Sequence, residues 1–154
     1  MPTLRIIKTH QSDFLKIAAL DRVAWLNNVH GEFIPDGEHV WRMWCEHSVM
    51  FSAKYDDKIV GAILAFCCED GRYCIHKVMV DERWRGKGIG GQLFEALLNA
   101  LDKKNVECFL TVDPNNDHAI TLYHSWGFHK RELVEGFYRA HEHRYVLTRP
   151  SQGD

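Results

Sequence analysis

Apolar and polar positions change their period several times along this 154-residue chain. Residues 4–8 alternate as a short strand. Phe14, Ile17, Ala18, Leu20, Val23 and Ala24 then recur at helical spacing, behind Ser12, a residue type suited to capping. Residues 30–37, with Gly31, Pro35 and Gly37, read as a loop, and Val40, Met43 and Trp44 predict a second helix beyond it. From Val49 the pattern is that of strands. Residues 49–53 and 58–66 flank Asp56-Asp57, a hairpin signal, and Asp70-Gly71 marks the turn into a third strand over 73–80. Leu93, Ala96, Leu97, Ala100 and Leu101 return to one helical face. Residues 106–112 predict a buried strand, 116–126 a helix closed by Gly127, and 128–134 with 143–148 a final antiparallel pair. Residues 151–154 read as a frayed tail. The order predicts one α+β domain over residues 1–154, a mixed, mainly antiparallel sheet of about seven strands flanked by about four helices.

Between the third strand and the third helix lies Arg85-Gly86-Lys87-Gly88-Ile89-Gly90-Gly91. Strand, glycine-rich turn and helix together aim several backbone N–H groups at one point. With the positive end of the helix dipole, those groups suit a phosphate or pyrophosphate. Glycine permits close approach there, and positive φ where the turn needs it.

Composition narrows the setting. At 45% hydrophobic and 26% charged residues the chain is that of a globular protein with a real core. A net charge of −2 favours neither nucleic acid nor an anionic membrane as partner. No apolar run nears the roughly 18–20 residues needed to span a bilayer, and the N-terminus lacks the apolar segment of a signal peptide. Five cysteines, an odd count, read as buried reduced thiols, which makes the cytoplasm the expected compartment.

A second motif lies beyond the glycine loop: Asn116-x-x-Ala119-x-x-Leu122-Tyr123-x-x-x-Gly127-Phe128. On a helix opened by Asn116, Ala119 and Tyr123 share a stripe, so one face offers an amide, a small residue and a phenol. With both motifs in this order, the chain resembles the GNAT superfamily of acetyl-CoA-dependent N-acetyltransferases. Arg85-x-x-Gly88-x-Gly90 fits that family's R/Q-x-x-G-x-G/A signature. The resemblance is strong over residues 48–128 and extends to the termini by element order.

The resemblance implies a pose for acetyl-CoA. Backbone amides of Arg85, Gly86, Lys87, Gly88, Ile89, Gly90 and Gly91 would hold the pyrophosphate. Val78, Met79 and Val80 would pair with the pantetheine arm in the manner of another strand, where in the family the fourth and fifth strands splay apart. Asn116 would hydrogen-bond the arm from the other side, and a backbone N–H near Val80 would polarise the thioester carbonyl. Tyr123 stands where many relatives keep a tyrosine beside the departing sulfur. A phenol of pKa ~10 protonates a thiolate of pKa ~8.5 only uphill, by about 2 kcal/mol, so it would act mainly as a hydrogen-bond donor.

The acceptor must attack as a free amine. At pH 7, freeing a lysine-like amine costs roughly 4.6 kcal/mol and an α-amine about 1.4. His76, two residues before Val78, is the candidate general base, since an imidazole titrates near neutrality. The resemblance leaves the acceptor open between a small molecule and a peptide. Polyamine-acetylating relatives often carry an acidic pair where this chain has His76-Lys77, and a lysine cation would disfavour a polyamine. Relatives acting on ribosomal-protein N-termini carry Glu where Thr111 stands. Their tyrosine-pair and Glu-Asp segment is faintly echoed by Phe137-Tyr138 and Glu142-His143. A homodimer is a further family expectation.

Other constellations carry less. Cys67-Cys68-x5-Cys74 lacks metal spacing, His141-Glu142-His143 reads as a solvated strand end, and no metal is expected. Trp41 and Trp44 share a helix face and read as core; Trp25 lies in the same region. The rival in a different class is an acyl-CoA-binding regulatory module without turnover, against which Asn116 and Tyr123 argue. A nucleotide-phosphate binder would need a Lys-Ser/Thr pair or a ribose-binding acid, and neither is present. Thioester hydrolysis without an acceptor is a further reading within the enzyme class.

Overall fold

A computed structural model of the chain describes residues 3–24 and 34–153. Its elements run β1 (Leu4–Lys8), α1 (Phe14–Ala24), α2 (Glu38–His47), β2 (Val49–Tyr55), β3 (Lys58–Cys67), β4 (Tyr73–Val80), α3 (Ile89–Lys104), β5 (Cys108–Val112), α4 (Asp117–Ser125), β6 (Lys130–Val134) and β7 (Arg144–Arg149). Short 3-10 turns precede α1 (Gln11–Asp13) and succeed β4 (Glu82–Trp84). The strands form one sheet in the order β1-β2-β3-β4-β5-β7-β6. β1–β2, β2–β3, β5–β7 and β6–β7 are antiparallel, and β4–β5 is parallel. The α+β fold expected from the pattern is the fold found.

The chain forms two compact units, one of residues 1–66 and 76–100, the other of 67–75 and 101–154. In the first, β3 is buried over seven consecutive residues, Ile59 to Ala65, because both of its faces are covered. Ile17, Ala18 and Leu20 of α1 and Trp41 and Cys45 of α2 pack with Met50, Ala62, Leu64 and Met79 in one cluster. On α3, Leu93 comes so close to β3 that a Cβ on Gly61 would lie 3.2 Å from its Cδ1. The β2–β3 hairpin turns at Asp56, which takes φ +54°, a conformation Asp tolerates. Trp41 is fully buried and meets Trp44 edge-on at 5.1 Å, as core packing predicts. Met43 is instead 55% exposed, so it lies off the buried face of α2.

In the second unit, β7 lies between β5 and β6, with Leu110 opposite Leu147 and Arg131 opposite Leu147 on its other side. Arg149 ends β7 and ties it to the last turns of α3 and α4. Its guanidinium donates to Asp102 at 2.7 and 3.2 Å and to the Trp126 carbonyl at 2.9 Å.

Several boundaries and caps differ from expectation. Ser12 does not cap α1. His10 caps the preceding 3-10 turn, its Nδ1 accepting from the Ser12 N–H at 3.1 Å, while Ser12 Oγ lies 2.7 Å from the same nitrogen. The capping function has moved to a ring nitrogen because the first turn is 3-10. β5 begins at Cys108 and β6 at Lys130, each two residues later than predicted. Residues 141–143 lead into β7, with His141 and His143 exposed and Glu142 buried between Arg139 and Arg144. Of the five thiols, all free, only Cys45 and Cys108 are buried; Cys67 is exposed and Cys68 and Cys74 are intermediate. Trp25 and residues 30–33 of the predicted loop lie outside the described residues. No described helix is long and apolar enough to cross a membrane.

Candidate active site

In the first unit, β4 ends at Val80 and the Asp81 N–H closes onto the Val60 carbonyl at 2.8 Å. Asp81 then caps the 3-10 turn, its side chain accepting from the Arg83 N–H at 3.0 Å. Arg85 straps the start of the glycine turn to two elements. Its Nε donates to the Val80 carbonyl at 3.2 Å and its guanidinium to the Ala24 carbonyl, the last residue of α1, at 2.8 Å. The turn thus starts from a fixed point, with Arg85, Gly86, Lys87 and Gly88 exposed.

Gly86 and Gly88 both take φ +77°, which explains their lack of a side chain. The loop is shorter than predicted. Ile89, Gly90 and Gly91 form the first turn of α3, whose ladder opens with Gln92 N–H donating to the Gly88 carbonyl at 3.1 Å. The helix extends back to Ile89 because the Ile89 side chain is buried in the core and anchors that turn. A first helical turn has no intrahelical partners for its N–H groups, so the change strengthens the anion-binding geometry. Gly90 has ordinary φ, and a Cβ there would meet nothing within 4 Å. Nothing within the described chain requires glycine at this helical position, where alanine is intrinsically better.

On β4, Met79 is buried, Val78 and Val80 are half-buried, and His76 lies on the exposed side. His76 Nε2 is 3.2 Å from Asp36 Oδ2, and its ring lies 5.2 Å from Trp44 and 6.0 Å from Phe66. Lys77 does not present a bare cation. Its Nζ meets both oxygens of Asp21, at 2.8 and 2.9 Å, and Asp36 Oδ2 at 2.7 Å. Asp21, wholly buried, also accepts from Trp41 Nε1 at 3.2 Å and from the Asp36 N–H at 2.9 Å. Burial pushes the Asp36 carboxyl up, but the hydrogen bonds and charges of Lys77 and His76 outweigh that and hold it below the usual carboxylate value. Two carboxylates around one ammonium leave the cluster net negative, so the electrostatic case against a polyamine fails.

The second unit carries the other motif. Asn116 caps α4, its Oδ1 accepting from the Ala119 N–H at 3.2 Å. Its carbonyl end is therefore committed to the helix, and the amide NH2 is the end that donates. Gly127, at φ +100°, closes the helix as predicted. Tyr123 packs its ring against Trp126 at 6.1 Å and Phe128 at 6.2 Å, and burial raises its phenol above the ordinary value. The β4–β5 ladder in this unit has two rungs, Tyr73–Cys108 and Cys74–Phe109. Thr111 Oγ1 lies 3.2 Å from the Tyr138 hydroxyl, so the Thr111 position and the Phe137-Tyr138 segment meet in space.

Burial pushes the Cys74 thiol up to about 12 and those of Cys45 and Cys108 to about 11, which makes them poor nucleophiles near neutral pH. Among the described residues no three His, Cys, Asp or Glu side chains group as metal ligands. Asp21 and Asp36 are the site residues that sequence reasoning missed. Asp21 falls four residues after Ile17 and one after Leu20, both buried, so a carboxylate on the apolar stripe was the available signal. Asp36, in Ile34-Pro35-Asp36-Gly37, carries no such signal.

The family model of the acetyltransferase (GNAT) family matches residues 16–128. The spermine/spermidine N(1)-acetyltransferase of Bacillus subtilis is 37% identical over 62 residues, 39% of this chain and 41% of that protein. The chain thus spans less than half the length of this curated relative. Among solved structures, the ribosomal-protein-S18-alanine N-acetyltransferase from Escherichia coli matches with TM-score 0.80 at 20% identity, over 99% of this chain and 97% of its own. The diaminobutyrate acetyltransferase of Paenibacillus lautus, in complex with L-2,4-diaminobutyric acid and coenzyme A, matches with TM-score 0.75 at 16% identity, over 100% and 99%. At such identities the structural likeness shows the fold.

Proposed function

The chain belongs to the acetyltransferase (GNAT) family, and from that premise we propose that it is an acyltransferase moving an acetyl group directly from acetyl-CoA to a primary amine of a small molecule or peptide. The observation that carries this reading is the glycine turn delivering into α3, with Gly90 present where the fold itself has no use for it. A ligand that must approach the first-turn N–H groups supplies the missing reason.

In the first unit, the amides of residues 85–91 hold the pyrophosphate of acetyl-CoA. Backbone groups of Val78, Met79 and Val80 pair with the pantetheine arm. Arg85 already occupies one lone pair of the Val80 carbonyl, which fixes the strand end for that pairing. His76 takes the proton of the attacking amine as its nitrogen adds to the thioester carbonyl, and a backbone N–H near Val80 holds the oxygen as charge develops. In the second unit, the Asn116 NH2 donates to the arm. Tyr123, whose phenol burial keeps protonated, donates a hydrogen bond to the sulfur as the C–S bond breaks. The enclosed Lys77 places no bare cation in an amine's way, so small polycations stay among the acceptors.

Thermal unfolding with acetyl-CoA, CoA, ATP and NAD, each near 100 times a micromolar Kd, tests the groove. Binding to the native state alone stabilises by about 2.7 kcal/mol, a Tm rise of roughly 5–10 °C for a chain of this size. The expected result is a rise with acetyl-CoA and CoA and none with ATP or NAD; no rise with either thioester or thiol sinks the reading.

Gly90→Ala sharpens it. Alanine is favoured over glycine in a helix by up to about 1 kcal/mol, so the ligand-free variant should melt no lower than the wild type. Its acetyl-CoA affinity should fall about tenfold or more, a loss of roughly 1.4 kcal/mol. An unchanged Kd by calorimetry would remove Gly90 from the cofactor's path.

A further inference from the structure

We propose that Asp36 is a positioning residue for His76: it keeps the imidazole proton on Nε2 and leaves Nδ1 as the nitrogen that receives the amine's proton. The inference rests on the reading of His76 as general base and adds to it a partner, a tautomer and a named acceptor atom.

Three features of the geometry support the assignment. First, a carboxylate only accepts hydrogen bonds, and Asp36 is held ionised by the hydrogen bonds and charges of Lys77 and His76 against the effect of its burial. At 3.2 Å from Asp36 Oδ2, Nε2 is therefore the ring nitrogen that bears hydrogen. In neutral imidazole that leaves Nδ1 as the lone-pair nitrogen, and it has no protein partner among the described residues. Second, Asp36 is itself immobilised. Lys77 Nζ holds the same oxygen at 2.7 Å, and the Asp36 N–H donates to Asp21 Oδ2 at 2.9 Å. Asp21 is wholly buried and fixed in turn by Trp41 Nε1 and Lys77. Third, the ring cannot swing freely, since Trp44 lies 5.2 Å from it, tilted by 54°, and Phe66 lies 6.0 Å away on the other strand.

Among the described residues, the charged groups around His76 are Asp36 from the stretch before α2, Lys77 beside it on β4, and, through those two, Asp21 from α1. From α2 and β3 it meets Trp44 and Phe66, which do not titrate. The assignment also explains why a lysine adjoins a proposed base: Lys77 does not act on substrate but locks the carboxylate that orients the ring.

The wild-type protein provides the first test. Long-range proton–nitrogen correlation spectra above the His76 titration should show the Nε2–H tautomer; an Nδ1–H tautomer overturns the proposal without any substitution. The second test compares His76→Gln, Asp36→Asn and Asp36→Glu across pH. Asp36→Asn should lower kcat by roughly 10- to 100-fold, part of the ~10²–10⁴ that a general base supplies, with the KM for acetyl-CoA unchanged. Asp36→Glu, which keeps a carboxylate able to hold Nε2–H, should recover part of the rate. A wild-type kcat in Asp36→Asn, with His76→Gln inactive, would leave His76 a base but remove Asp36 from the mechanism. A wild-type profile in His76→Gln would instead remove the base reading and the pairing with it. Should Asp36→Asn fail to fold, the wild-type tautomer decides the matter alone.

Discussion

Tyr123→Phe is expected to lower kcat by about 10²-fold, in line with the loss of one hydrogen-bond donor to a charge that develops in the transition state. The KM for acetyl-CoA should change little, because the ring packing against Trp126 and Phe128 survives the substitution and the ground-state thioester sulfur is a weak acceptor. Proton transfer from phenol to thiolate is uphill at ordinary values by about 2 kcal/mol, and burial raises the Tyr123 phenol further. On the proposed reading the hydroxyl therefore works as a donor and not as an acid that gives its proton away. The loss in Tyr123→Phe should accordingly be the same at pH 6 and pH 9, with the limbs of the profile unmoved. Steady-state kinetics with a good amine acceptor checks this. A wild-type kcat would remove Tyr123 from the sulfur, and a loss confined to high pH would restore the proton-donor reading.

Asp21→Ala is expected to be the most destabilising single change, at about 3 kcal/mol or more. Its carboxylate is wholly buried and accepts from Lys77, Trp41 Nε1 and the Asp36 N–H. Removing one partner of a buried pair leaves the other charge uncompensated, a cost of roughly 3–5 kcal/mol; Lys77, only 9% exposed, keeps Asp36 and so falls at the lower end. Orphaned donors on Trp41 and Asp36 add to the loss. The double variant Asp21→Leu with Lys77→Met removes both charges and should recover most of the stability, while losing the anchor on Asp36. Urea unfolding of the wild type, each single variant and the double variant checks the cycle, and an Asp21→Ala within 1 kcal/mol of the wild type would show that the network is not structural. The same cluster sets an acid limit. The Asp36 pKa is depressed in the native state, so its contribution is full above the unfolded value of ~3.9 and is lost as pH falls through the lower native value. Stability should therefore decline below about pH 4, less steeply in Asp36→Asn.

The elements were legible because each is local. Period-2 and period-3.6 patterns arise from the backbone alone, and Asp56-Asp57, Asp70-Gly71 and Gly127 punctuate them with turn chemistry. Boundaries failed where tertiary contacts shift an end. Ile89 is a single apolar residue inside a glycine run, and only its burial beside Gly61 and Leu93 makes it the first residue of α3. Ser12 looked like a cap because its type is right, yet His10 took the role once the first turn tightened to 3-10.

The same division runs through the candidate site. Glycines at 86, 88 and 90, the capping amide of Asn116 and the phenol seven residues later stand close in the chain, so their spacing alone placed them on a turn and on one helix face. The charge logic around His76 was not accessible in that way. Asp21, Asp36 and Lys77 lie 15 to 56 positions apart, and a sequence of that kind reads Lys77 as a bare cation. Sequence determined the fold class and the two motifs, because both are written in short-range periodicity and backbone chemistry. Tertiary structure alone decided the electrostatics, because a charge is defined by its surroundings, and here α1, the stretch before α2 and β4 each bring one group to the same few ångströms.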